Sequence, residues 1–417
     1  MNVTGIIAEY NPFHNGHLYQ IEQVKKNGAD YVIIVMSGDF LQRGTPAILD
    51  KWSRTQMSLS CGADLVIELP AVLATASAQY FARGGVSILD KLGCIDTISF
   101  GCESDDISMI QTLSSYLSEE PDNYKEKLQH YLRKGNSFPK ARELALSDCL
   151  SAEIAAFASS PNNILALEYC IALLERNSTM NILPIKREGS GYHDTFLSKD
   201  TFASATAIRE ILGKATPNEN TCNNSVLSPE LKNQLPEAVY SILDKKVTEY
   251  ITQNDFSSLL HYKLLTEVNS SLAKYADVTE DLSDKIHKNL RYYSDYTGFC
   301  ELLKSKELTY SRINRALTHI LLNITQEMYD DTKTNDYAGY ARILGFRKES
   351  APLLSEIGKK TAIPLISKLA DASKILNEHE LRNLEHDIFC SHVYESIVAT
   401  KTDNAIRNEY QREIIRL

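Results

Sequence analysis

Residues 5–17 read Gly5-Ile6-Ile7-Ala8-Glu9-Tyr10-Asn11-Pro12-Phe13-His14-Asn15-Gly16-His17. An apolar run ends, a turn follows, and a helical pattern starts. The run 3–8 has the length and apolar content of a strand, and 16–26 has helical spacing. Asn11 and Pro12 are turn residues. Four further runs are strand-like: 31–36 (YVIIVM), 64–69 (DLVIEL), 95–100 (IDTISF) and 181–185 (NILPI). Helical patterns at 16–26, 50–60, 76–91 and 161–175 alternate with them. This alternation predicts an α/β fold: a Rossmann-like parallel sheet with both faces covered. In such a sheet the ligand sits beyond the carboxyl ends of the strands, so motifs that follow strands carry the chemistry.

The segment 104–150 is polar and helical and reads as an insertion or an edge of the same domain. The stretch 214–230 (KATPNENTCNNSVLSPE) is rich in Asn, Thr, Ser and Pro, a linker signature. A boundary there gives a Rossmann-like domain over 1–215 and a mainly α-helical C-terminal domain over 216–417. Helices are expected near 238–253, 257–265, 311–324 and 378–390.

Forty-four Lys and Arg against 54 Asp and Glu leave a formal charge of −10. The surface as a whole does not attract nucleic acid, although a local basic patch still can. No apolar run approaches the roughly 20 residues of a membrane-spanning helix. No secretory leader is evident. The eight cysteines (Cys61, Cys94, Cys102, Cys149, Cys170, Cys222, Cys300 and Cys390) form no C-x-x-C pair. They read as reduced thiols of a cytoplasmic protein, with no metal centre.

The loop after the first strand suits phosphate. A helix N-terminus offers free N–H groups and partial positive charge, and Gly16 permits close backbone approach. His14 and His17, three apart, share a helix face and can donate to phosphate oxygens. A plain helix cap and a metal pair are the alternatives. The segment resembles the H-x-G-H signature of the nucleotidyltransferase superfamily, which binds ATP on a Rossmann-like sheet. Residues 202–209 (FASATAIR) enter a helix that Ser204 or Thr206 can cap, while Arg209 offers a fork to phosphate. This resembles the second superfamily motif, with Ser-Ala-Thr in place of a double serine; an ordinary cap is the alternative.

The likeness extends to Ser37-Gly38-Asp39-Phe40-Leu41-Gln42-Arg43-Gly44, to 63–70, to Phe100-Gly101-Cys102-Glu103, and to Ser160-Pro161-Asn162-Asn163. It continues through Pro184-Ile185-Lys186-Arg187 and 339–346 (GYARILGF). Together these resemble the bacterial tRNA(Met) cytidine acetate ligase family across essentially the whole chain. The resemblance implies ATP and acetate as substrates, acetyl-adenylate and pyrophosphate as first products, and one RNA as the acetyl acceptor. That RNA is elongator methionine tRNA, acetylated at N4 of its wobble cytidine.

The resemblance also implies site residues. Ile7, Ala8, Glu9, Tyr10, Asn11, Pro12, Phe13, His14, Asn15, Gly16, His17, Leu18, Tyr19 and Gln20 would surround ATP. Gly101, Asn162, Arg187, Ser204 and Thr206 would complete the site. His14, His17 and Arg209 would counter phosphate charge, with Mg2+ bridging the phosphates. Asp39 is a candidate general base, or a turn cap. Arg43, Lys51, Arg54 and Arg83, with Arg342 and Arg347 farther on, are expected to track the RNA; Arg312 and Arg315 add a basic cluster. Solvated helix faces are the alternative for each. An adenylyltransferase acting on a small cofactor precursor and a non-catalytic ATP-dependent RNA binder are the competing functions.

Overall fold

In the computed structural model the described residues are 1–103, 106–187, 203–214 and 227–417. Ser104, Phe202, Cys222 and most of the linker-like stretch lie outside them.

Five parallel strands form as the sequence predicts: β1 (Val3–Ala8), β2 (Tyr31–Ser37), β3 (Leu65–Leu69), β4 (Thr97–Cys102) and β5 (Asn181–Lys186). Their order is β5-β4-β1-β2-β3. The chain moves outward to β3 and then returns to the other side of β1, which makes the β1/β4 crevice the topological switch point. Alternation along β2 explains its unbroken apolar run. Ile33 and Val35 enter one core cluster, while Val32, Ile34 and Met36 enter the other. Helices α1 (Asn15–Lys26) and α2 (Lys51–Ser60) cover the second face through Ile21, Val24, Met57 and Leu59. The helix Ala78–Lys91 lies on the first face, very close to β1. A Cβ on Gly5 would meet Leu89 at 2.5 Å, and one on Gly85 would meet Ile7 at 2.5 Å.

The insertion reading of 104–150 resolves into helices Ile107–Glu119, Asp122–Arg133 and Phe138–Cys149, which share a small core of their own with the helices Ala152–Ser159 and Pro161–Glu175. The C-terminal half is mainly helical, as expected, and its longest helix is Glu378–Thr402. It also supplies three strands. β6 (Ala341–Phe346) runs antiparallel to β3, and β7 (Leu365–Ile366) and β8 (Ile415–Arg416) pair with β6. One sheet and one main core therefore run across the 215/216 boundary: Ile33 and Leu65 share a cluster with Leu317 and Tyr394. Arg342 and Gly345 interrupt the apolar pattern of β6, which is why it reads poorly as a strand.

The seven described cysteines are free thiols. Among the described residues no helix is long and apolar enough to cross a membrane.

Candidate active site

A cleft of about 1150 Å³ opens at the carboxyl ends of β1 and β4. It exceeds the usual range for one small molecule, roughly 300–1,000 Å³, and so has room for two reactants. Several helix N-termini reach it, three of them from the predicted motifs. His14 and Gly16 belong to α1, Asn162 to the helix Pro161–Glu175, and Ser204 and Ala205 to the helix Ala205–Leu212. Their unpaired N–H groups and dipoles favour an anion.

The two histidines cap α1, and the cap fixes their chemistry. His14 is the N-cap residue rather than a member of the helix. Its Nδ1 accepts the Gly16 N–H at 3.1 Å, and His17 Nδ1 accepts the His14 N–H at 3.2 Å. Each neutral ring therefore carries its proton on Nε2, as a donor. The rings stack with centroids 3.7 Å apart. Tyr10, at φ +48°, packs edge-on to His17 with centroids 4.7 Å apart and backs that ring. Burial, with Arg187 and Arg209 nearby, pushes His14 down to about 3. Burial, His14 and Arg187 hold His17 well below its ordinary value. Both are neutral Nε2–H donors at physiological pH. A cap and a phosphate-facing pair are thus one geometry.

Arg209 donates to the Asn11 carbonyl at 2.7 Å and to Thr206 Oγ1 at 3.0 Å, tying the second motif to the first. Ser204 Oγ caps its helix by accepting the Ala207 N–H at 3.1 Å. Arg187 donates to Asn162 Oδ1 at 2.9 Å across the end of β4. A Cβ on Gly101 would lie 3.6 Å from Arg187 Cγ, so the glycine keeps this wall thin. At Gly16 a Cβ would come within 2.9 Å of His14 Cε1. Gly16→Ala is therefore expected to displace the His14 ring and weaken ATP binding at least tenfold, measured by calorimetric titration.

Most residues of the first loop line the cleft: Ile7, Ala8, Glu9, Tyr10, Asn11, His14, Gly16, His17, Tyr19 and Gln20. Pro12, Phe13, Asn15 and Leu18 do not. Phe13 is buried in the core, Leu18 packs against it, and Asn15 donates to the Asn233 carbonyl at 2.9 Å. They support the loop from behind.

Four basic residues expected to meet RNA are placed elsewhere. Lys51 and Arg342 are buried in a closed ring of ion pairs. Glu68 meets Lys51 at 2.7 Å and Arg342 at 3.0 Å, and Glu409 meets them at 3.0 and 2.5 Å. Arg54 is fully buried and donates to the carbonyls of Leu49, Glu9, Ser37 and Gly38, gathering the ends of β1 and β2. Arg347 lies at the opposite, amino end of the strands with Lys25, Asp30 and Asp64. Asp39 is buried away from the cleft, with Oδ1 accepting the Lys51 N–H at 2.7 Å; it is a turn cap. Arg43, Arg83, Arg312 and Arg315 do line the cleft. Arg83 is held by Glu175, with Nε at 2.8 Å, and Arg315 by Asp277 at 2.8 Å. Tyr169, on the cleft wall beside Phe100, is not legible in the sequence, because an isolated aromatic in an apolar run looks like ordinary core.

A profile of the HIGH nucleotidyl transferase family matches residues 1–409. Proteins named tRNA(Met) cytidine acetate ligase from Thermoanaerobacter pseudethanolicus and Clostridium acetobutylicum are 39% and 38% identical to this chain, each over the whole of both chains. The crystal structure of apo Thermotoga maritima TmcAL is similar with a TM-score of 0.92 at 31% identity. The same protein bound with alpha-thio ATP gives 0.89 at 31% identity, and both cover the whole of both chains. The histidine loop sits at the switch point of the sheet and the similarity runs through both halves, so this chain belongs to the tRNA(Met) cytidine acetate ligase family of HIGH nucleotidyl transferases.

Proposed function

We propose that this protein is an ATP-dependent ligase that activates acetate as acetyl-adenylate, releasing pyrophosphate, and acetylates N4 of the wobble cytidine of elongator tRNA(Met). The product is N4-acetylcytidine. The observation that carries the reading is the stacked His14–His17 pair, with both Nε2–H donors at a cleft that several helix N-termini reach.

Acetate is a poor acyl donor until a phosphate leaving group is attached. Holding its carboxylate oxygen in line with the α-phosphate supplies much of the rate. His14, His17, Arg187 and Arg209 then stabilise the charge that grows on the departing pyrophosphate. Because the rings are neutral, they act as hydrogen-bond donors rather than as counter-charges. Among the described residues no group of three or more His, Cys, Asp or Glu could hold a metal ion. Mg2+ in this reading arrives on the triphosphate, mostly hydrated. The anticodon loop presents an unstacked cytosine to the outer cleft, where Arg43, Arg312 and Arg315 meet its backbone.

The test incubates the protein with ATP, magnesium, labelled acetate and elongator tRNA(Met) transcript, followed by nucleoside mass spectrometry. ATP-dependent N4-acetylcytidine is the expected result. Pyrophosphate without the modified nucleoside would mean a different acceptor, and a free dinucleotide would mean a cofactor adenylyltransferase. ATP binding with neither product would leave a non-catalytic RNA binder.

A further inference from the structure

Acetyl transfer to an exocyclic amine needs a group that holds the acetyl carbonyl oxygen as charge develops there. It also needs one that takes the proton released by the attacking nitrogen. The histidines cannot be that base. Each Nδ1 already accepts a main-chain N–H, which leaves the ring proton on Nε2. Asp39 is sealed away from the cleft.

Six glutamates line the cleft; Glu120 and Glu307 are exposed at its rim, and three of the other four are committed. Glu168 is held by Arg142 at 3.0 Å, Glu175 by Arg83, and Glu143 by Lys140 at 2.8 Å. Glu9 differs. It lies on the loop directly after β1, beside the histidine pair. Its Oε1 accepts the Gln42 N–H at 2.8 Å, which orients the carboxylate, and among the described residues it forms no ion pair. Glu9 lines the cleft, and its second oxygen has no hydrogen-bond partner among the described residues.

Tyr169 lies on the same inner wall and is 4% exposed, with its ring tilted against Phe100 at 5.8 Å. Its hydroxyl makes no hydrogen bond to another described residue and, as part of the cleft lining, can reach a bound molecule. Burial, and secondarily the Glu9 charge, raises the phenol above its usual range, so it stays a donor.

We propose that Glu9 and Tyr169 form the acetyl-transfer station of this site, an inference that rests on the ligase reading above. The Tyr169 O–H donates to the acetyl carbonyl oxygen. N4 of the cytosine attacks the carbonyl carbon and forms the C–N bond. The C–O bond to phosphate breaks, and AMP leaves with its electron pair. The N4 proton passes to the Glu9 carboxylate and from there to solvent.

Two half-reactions separate this role from ATP binding. Acetate-dependent pyrophosphate–ATP exchange reports adenylation, and single-turnover transfer from supplied acetyl-adenylate to tRNA reports the second step. Glu9→Gln keeps an acceptor for the Gln42 N–H. It is expected to slow transfer about 100- to 1,000-fold, and at least tenfold more than it slows exchange. Tyr169→Phe is expected to slow both steps and raise the KM for acetate. Equal losses in the two half-reactions for Glu9→Gln, or no loss in transfer, would overturn Glu9 as the base. An unchanged acetate KM and transfer rate in Tyr169→Phe would overturn the donor. Wild-type protein without acetate-dependent exchange would sink the ligase reading itself, and this inference with it.

Discussion

His17→Ala is expected to lower acetate-dependent pyrophosphate exchange by about 100- to 1,000-fold, the usual loss for one donor aimed at developing charge. The substitution also removes the acceptor of the His14 N–H, a cap worth about 1 kcal/mol. Activity and stability can be separated at this position. His17→Glu restores the acceptor found in an ordinary capping box but supplies no donor. Its thermal midpoint should recover while exchange stays lost. Recovery of exchange with the cap would reduce the histidine to a structural role. The low values of both rings fix the pH behaviour. An unfolded imidazole takes up a proton below about 6.5, whereas folded His14 stays neutral to about 3. The stabilisation held in that difference is complete above 6.5 and is lost as pH falls through the window. At pH 5 the loss amounts to about 2 kcal/mol for one such histidine. Calorimetric scans from pH 7 to 5 should show the midpoint falling, with a shallower slope in His14→Ala.

The second large effect lies outside the cleft lining. Glu409→Ala is expected to cost about 3–5 kcal/mol in urea unfolding, because it leaves buried cations without their partner. Burial alone would raise the Glu409 carboxyl. Lys51 and Arg342 overcome that and hold it far below the usual carboxylate range. Glu409 also accepts the Trp52 indole N–H at 3.0 Å. A Lys51–Glu409 double-mutant cycle measures the coupling. A cost under 1 kcal/mol would mean that Glu68 and Asp39 neutralise both cations unaided.

The sequence was most legible where local signals agree. The loop at 9–17 follows an unmistakable strand, and most of its residues line the cleft. The α/β reading and the five parallel strands hold for the same reason: both-face burial writes long apolar runs. Lys51, Arg54 and Arg342 were misplaced because a basic residue in a polar helical pattern, or in a short strand, looks solvated. The sign was Glu68. A carboxylate inside DLVIEL, a strand buried on both faces, requires a buried cation, but the cations come from α2 and β6, remote in sequence. Tyr169 gave no sign, because its significance is its place on the cleft wall, visible only in three dimensions.

The position of β6 has a temporal consequence. As the chain leaves the ribosome, β1, β2 and β3 are complete early, and β3 then presents a row of unpaired amides and carbonyls to any strand that approaches. Its native neighbour is not made until Ala341–Phe346 emerge. The nascent chain must shield this edge through most of its synthesis, so the interval between β3 and β6 is when aggregation and chaperone capture are most favoured.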